Sequence, residues 1–279
     1  MKIFSEIFQI KSGQGRPAFS VRPGVGINFL WITTMSRLLR KDSSYHRILF
    51  FLLSFLLCQS VYASVVMTGS RIIYPSDAKS VDVQLRNNDD FPYVIQAWFD
   101  SGDNTSTAAT GKAPFVVVPP TFRIAEKEGQ VLRIFFTGKT ALPQDRESVF
   151  YFNFLQVPPG NVAGDKGSQM MVMLKNRLKL FYRPASLKNN PKKVFDFLTF
   201  SEISSSSIRI TNHSPYYVSL SKVVVRGAAA KQEPPMLAPF ATAEVALKEN
   251  KTGSGTQGIE IGLINDYGAM VTHEYSIQK

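Results

Sequence analysis

Two cations sit inside otherwise apolar stretches of the chain: Arg71 in GSRIIYP and Lys179 in LKLFYRP. A lone charge in such a stretch is either a solvated strand-face residue or part of a built anion site, because burying it unpaired is costly. Two cations converging on a cleft would bind a carboxylate through charge-assisted hydrogen bonds, and a peptide's C-terminal carboxylate is one such anion. Glu147 in QDRESVFYF, Arg183 in FYRP and Asp266 in INDYG form a second group, each flanked by bulky residues that should pack inward. We read these three as a structural ion-pair network across a domain boundary, setting the angle of a cleft rather than touching a ligand. A third group, Met170, Val172 and Leu174, alternates on one face of an extended segment, while Met171 and Met173 fill the other. On a sheet edge such a doubly apolar strand needs a cover, and an extended partner segment pairing with that edge supplies one. Lys175 and Arg177, between the apolar run and Lys179, read as ordinary exposed charges.

For catalysis the sequence offers little. Beyond residue 63 the histidines are His213 and His273, each isolated and without metal-ligand spacing. No G-x-S-x-G elbow occurs, and the glycines of GDKGS and KTGSGTQG lie in polar stretches between strands, as loops do. The expectation is a protein that is not an enzyme and holds neither cofactor nor metal.

These residues need a scaffold, and the chain divides into unlike parts. Of its 279 residues, carrying a formal charge of +11, the first 63 stand apart. From Met35 a basic stretch with Arg37, Arg40, Lys41 and Arg47 leads into the apolar run Ile48 to Cys58 and the small-residue ending VYA. That order is a secretory signal, too short in its apolar part to span a bilayer, with cleavage expected after Ala63. Met35 is the expected initiator and residues 1–34 an upstream extension. Eight Lys/Arg and two Asp/Glu lie in residues 1–63, which leaves 24 basic and 19 acidic residues, a net of +5. That modest excess, with no long basic tract and an exported destination, argues against a nucleic-acid partner. Cys58 leaves with the signal, and Leu57 before it argues against lipidation; the mature chain has no thiol, no disulfide and no membrane span.

From residue 64 the segments are short, β-branched or aromatic, and punctuated by turns. Seven strand candidates fall within residues 64–184, and in KSVDVQLRNND the residues Val81, Val83 and Leu85 oppose Asp82, Gln84 and Arg86. Pro119-Pro120 belongs at a strand edge or a switch between sheets. RPASLKNNPKK breaks the pattern, giving a linker at 185–193, and six more strand candidates follow in 194–279. No helical window appears. The reading is all-β: two immunoglobulin-like sandwiches, the second smaller, meeting at a cleft.

LPQDRESVFYFN (142–153), RLKLFYRP (177–184), PYYVSL (215–220) and INDYG (264–268), in that order after a signal peptide, resemble the periplasmic chaperones of pilus and fimbrial assembly, the PapD-like family. The resemblance covers essentially all of residues 64–279. It implies two sandwiches in an L shape, ATP-independent binding of pilin subunits, and delivery to an outer-membrane usher. By motif, Arg71 and Lys179 correspond to the pair that anchors the subunit's C-terminal carboxylate. Counting back from Lys179, Met170, Val172 and Leu174 correspond to the residues lent to the subunit's incomplete sandwich. Glu147, Arg183 and Asp266 fall on the interdomain salt bridge. The short PPGNVAGDKGSQ segment, without cysteines, resembles the short-loop subfamily. Lys179 is odd-numbered and the donor residues even, so one regular strand would point them to opposite faces unless it twists or bulges between 174 and 179. A self-capping dimer is compatible with this reading. The rival is a secreted immunoglobulin-like adhesin or receptor-binding module, which would bind through loops at the sandwich ends.

Overall fold

A computed structural model of the chain describes residues 64–138, 140–160, 171–187, 191–204, 206–249 and 258–276. The expected signal peptide, its cleavage after Ala63, the donor residue Met170 and most of the PPGNVAGDKGSQ segment lie outside them. Two β-sandwiches occur, and both belong to one compact unit.

The first sandwich contains β1 (Val65–Met67), β2 (Arg71–Pro75), β3 (Val81–Asn87), β4 (Tyr93–Asp100), β5 (Phe115–Val118), β6 (Thr121–Ile124), β7 (Gly129–Phe136), β8 (Ser148–Val157) and β9 (Leu174–Arg183). One sheet runs β1-β3-β7-β5, the other β2-β9-β8-β4-β6. Two of the seven sequence segments each divide between the sheets. SVVMTGSRIIYP becomes β1 and β2, with Gly69 at φ 92° in the bend, a conformation that glycine adopts without a Cβ clash. FVVVPPTFRI becomes β5 and β6, and Pro119-Pro120 is the switch. The buried Gln156 side chain ties the sheets together: its Oε1 accepts from the Val65 amide at 2.9 Å, and its Nε2 donates to the Val65 carbonyl at 2.7 Å.

Alternation along these strands makes the core. Val83 and Leu85 are buried while Asp82, Gln84 and Arg86 are exposed. Without a cross-sheet disulfide, aromatic rings fill the centre. Phe115 meets Tyr74, Phe99, Phe136, Phe150 and Tyr182 at centroid distances of 5.1–6.3 Å, several of them edge-on.

The second sandwich is entered through a short 3₁₀ segment, Pro191–Phe197, whose Val194 is buried in its core. Its strands are β10 (Leu198–Ser204), β11 (Ser207–Asn212), β12 (Val218–Val225), β13 (Ala228–Ala229), β14 (Met236–Leu237), β15 (Thr242–Ala246), β16 (Ile259–Ile264) and β17 (Met270–Tyr275). One sheet is β10-β11-β15; the other is β13-β12-β16-β17, with β14 also on β12. The two sandwiches repeat one device. Asn87 donates to the Phe91 and Ala125 carbonyls and accepts from the Asp89 amide; Asn212 donates to Tyr216 and Ala238 and accepts from Ser214. Each asparagine is fully buried and satisfies a turn that no second strand could.

Candidate functional site

β2 and β9 run parallel, and their register places Arg71 beside Lys179. They are the first and last strands of their sheet's chain path, so the two cations of the sequence reading become cross-strand neighbours. Like charges in that position repel, and neither is neutralised by the other. Arg71 reaches across to the second sandwich, where Nη1 donates to the Ile264 carbonyl at 2.9 Å and approaches Ser219 Oγ at 3.5 Å. Its Nε is buried without a hydrogen-bond partner. Phe181 lies beneath the guanidinium, 5.8 Å from ring centroid to Cζ, and packs in turn on Tyr217. Lys179 is half-buried and makes no hydrogen bond or ion pair with the described residues. Burial, and then the charge of Arg71, push its ammonium below the usual lysine range, with Glu233 pulling the other way. Burial likewise lowers Arg71, against the charges of Asp266 and Glu147.

Arg71 borders a cavity of about 340 Å³ between the sandwiches, whose walls include Phe181, Tyr217, Ser219 and Ile264. Lys179 stands beside this cavity rather than in its wall. The ion network lines the same cavity. Arg183 Nε donates to Glu147 Oε1 at 2.7 Å, while Nη1 and Nη2 donate to the two Asp266 oxygens at 2.8 and 2.9 Å. Glu147 Oε2 accepts from the Tyr217 amide at 2.8 Å, so this group links first-sandwich residues to the second. Burial would lower Arg183, but Asp266 and Glu147 outweigh it and raise it; burial pushes the Glu147 carboxyl up against the pull of Arg183.

β2 spans only Arg71–Pro75 and pairs with residues 179–183 of β9. The front of β9, residues 174–178, pairs with β8 on one edge, and among the described residues no strand pairs with the other. Its register with β8 is unbroken from Leu174 to Tyr182, with no bulge. Leu178, Leu180 and Tyr182 accordingly face the core, and Leu174 shares their face, while Lys179, Phe181 and Arg183 face the cleft side. Leu174 and the anchor Lys179 thus occupy opposite faces of one regular strand. Val172 and Leu174 are 69% and 50% exposed, and Met171 and Met173 are exposed beside them. Residues 171–173 precede the strand proper.

Lys175 and Arg177 correct the sequence reading, since neither is an ordinary exposed charge. Both are half-buried: the segment 101–112 folds over Lys175, and Arg177 lies between Asp100 and Tyr151. Arg177 donates to the carboxylate of Asp100, which is 1% exposed, and Lys175 donates to the Asn104 and Ser106 carbonyls. Sequence reasoning missed Asp100 altogether, although a carboxylate closing the apolar strand YVIQAWFD was the available signal.

Among the described residues, no group of His, Cys, Asp and Glu is placed to hold a metal ion, and no helix is long and apolar enough to cross a membrane.

Two immunoglobulin-like sandwiches with a charged cleft and an open terminal strand define a class, and comparison with known proteins gives the family. Residues 64–188 match the N-terminal domain of the pili and flagellar-assembly chaperone PapD, and residues 193–275 match the C-terminal domain of that pili assembly chaperone. Chaperone protein HifB of Haemophilus influenzae is 40% identical over 213 residues, covering 75% of this chain and 86% of the relative. The crystal structure of the Escherichia coli YadV chaperone superposes with a TM-score of 0.62 at 35% identity, covering 77% of this chain and all of that one. The SafB chaperone of Salmonella enterica, solved in complex with the SafA pilin, gives a TM-score of 0.66 at 26% identity over 78% of this chain and 99% of the matched chain. The chain belongs to the PapD family of pilus-assembly chaperones, and the adhesin alternative is thereby displaced.

Proposed function

We propose that this chaperone captures pilin subunits in the periplasm by lending them the open edge of β9, and hands them to an outer-membrane usher. The observation that carries the reading is the juxtaposition of Arg71 and Lys179 at the cleft with an unpaired, apolar strand edge only a few residues upstream. Two adjacent cations, neither in a direct ion pair with a carboxylate of the described residues, form an anion site in waiting. A subunit's C-terminal carboxylate fits it, relieving the mutual repulsion and supplying acceptors for Lys179 and for Arg71. From that fixed point the subunit's last segment runs along residues 171–178, adding backbone hydrogen bonds to the edge. Val172 and Leu174, and Met170 by the sequence alternation, enter the subunit's open groove and cover apolar surface that would otherwise aggregate. Arg183, Glu147 and Asp266 hold the cleft that frames the anchor. The complex of SafB with a pilin supports a pilin subunit as the partner. Export follows from the signal sequence, with cleavage after Ala63 giving the mature chain.

Co-expression of the mature chain with pilin subunits tests the reading through the amount of soluble subunit recovered from the periplasm. Wild type should protect a subunit, and Arg71→Ala and Lys179→Ala should each reduce that protection at least tenfold, the loss expected for a charge-assisted hydrogen bond. Equal protection by the alanine variants would refute the carboxylate anchor.

A further inference from the structure

Among the described residues no strand pairs with the outer edge of the front half of β9, yet its cleft-side face is held by an array that the subunit-capture reading does not use. Asp100, at the end of β4, is buried and accepts five hydrogen bonds. Oδ1 takes Arg177 Nη2 at 2.7 Å and the Gly102 amide at 2.7 Å; Oδ2 takes Asn153 Nδ2 at 2.7 Å, Ser106 Oγ at 3.2 Å and Arg177 Nε at 3.2 Å. Arg177 is sandwiched between that carboxylate and Tyr151, with Cζ 3.4 Å from the ring centroid. Tyr151 is the register partner of Lys179 on β8, so the array reaches the anchor itself. Next along β9, Lys175 donates to the Asn104 and Ser106 carbonyls at 3.0 and 2.7 Å and lies 5.1 Å from the Trp98 ring. Trp98 Nε1 donates to Ser106 Oγ at 3.1 Å. The 101–112 segment seats tightly on β4: a Cβ on Gly111 would fall 2.5 Å from Trp98 Cδ1.

We propose that Asp100 is a positioning residue for subunit capture: through Arg177 and Tyr151 it clamps residues 174–178 extended and in fixed orientation to the Lys179 anchor. The rear of β9 needs no such device, being paired with β2 and rooted in the core by Leu180 and Tyr182. The front has one neighbouring strand, and a partner strand can add only to an edge that is already straight. The clamp supplies that order beforehand, so the ordering cost is not charged against binding. It also commits the odd face of the segment, Lys175 to the 101–112 loop and Arg177 to Asp100 and Tyr151, which leaves Leu174, and Val172 before it, as the face a partner can take.

This inference rests on the subunit-capture reading, and its test separates the two. Asp100→Ala and the near-isosteric Asp100→Asn are compared with wild type in three measurements. The first is amide hydrogen exchange of residues 174–178 in the free protein. The second is affinity for a free-acid nonapeptide copying the C-terminus of a pilin subunit, long enough to reach the edge. The third is affinity for the C-terminal tripeptide, which reaches the anchor alone. The expected result is exchange at 174–178 faster by about tenfold or more and nonapeptide affinity down by a similar factor, with tripeptide affinity little changed; the thermal midpoint falls in both variants, more for Ala, because Arg177 loses its carboxylate partner. Asn should fall between Asp and Ala, because it keeps acceptors but loses the charge. Unchanged nonapeptide affinity in both variants overturns the proposal, as does a parallel fall for both peptides, which marks a merely structural residue. If wild type itself binds neither peptide nor subunit, the capture reading fails and takes the inference with it.

Discussion

Replacing Arg183 by Met removes the hub of the interdomain network while keeping most of its apolar bulk. Three charge-assisted hydrogen bonds of 2.7–2.9 Å disappear. The two carboxylates left behind fare differently. The Asp266 side chain is 35% exposed and can be resolvated, so its loss of partner contributes little. The Glu147 side chain is 2% exposed and keeps only the Tyr217 amide, leaving a nearly uncompensated buried charge. Orphaning one member of a buried pair costs about 3–5 kcal/mol, a large share of the roughly 5–15 kcal/mol that holds a domain together. Urea unfolding at pH 7, followed by fluorescence of Trp98 and by circular dichroism, should report that loss. The companion Glu147→Gln/Arg183→Met protein isolates its cause. If the penalty is the orphaned charge, removing both charges restores most of the stability; if it is lost packing, the double variant is no better than the single one. A loss below about 1 kcal/mol in Arg183→Met, or a double variant as unstable as the single, would refute the reasoning.

Three more outcomes are expected from the same structure. Val172→Glu and Leu174→Glu fall on exposed positions and should change stability by no more than about 0.5 kcal/mol, yet reduce subunit capture more than tenfold in a pull-down. Phe115→Ala empties the centre of the aromatic cluster and should cost about 3–5 kcal/mol in urea unfolding, with the second sandwich less affected. Lys179 gives a pH signature with opposite signs for binding and folding. Its ammonium is held below the usual range, so affinity for a carboxylate-ending peptide should be flat at neutral pH and fall as pH rises through the lowered value. The same depression means that protonated Lys179 opposes folding, a cost that fades over the same alkaline window. Lys179→Arg should abolish the alkaline fall in affinity, as read by titration of the peptide across pH 7–11.

Much of this architecture is legible in the sequence because period-2 alternation and turn residues are local signals. KSVDVQLRNND announces its inward face, and Pro119-Pro120 announces a strand edge or a sheet switch, of which the structure has the switch. The break at Gly69 is harder to see, since a single glycine within SVVMTGSRIIYP does not say that the two halves join different sheets. β13 and β14 are two residues each, too short for any periodicity, and the 3₁₀ segment Pro191–Phe197 is too short for a helical one. At the site, Arg71 and Lys179 stand out as charges among apolar neighbours, and residue parity alone assigns Leu174 and Lys179 to opposite faces once the strand is known to run without a bulge. The Asp100–Arg177 clamp is illegible for a physical reason. Its partners lie 77 positions apart; Lys175 becomes half-buried only when the 101–112 segment closes over it, and Arg177 only when β4 and β8 bring Asp100 and Tyr151 against it. Charges on a strand read as exposed until a loop is known to cover them.

Strand addition at the front of β9 is the central claim, and amide hydrogen exchange on the chaperone with and without a captured pilin subunit measures it most directly. New protection should concentrate in residues 171–178 and the flanks of Arg71 and Lys179, with the loops at the sandwich ends unchanged. Protection confined to those end loops, with 171–178 exchanging as in the free protein, would contradict it.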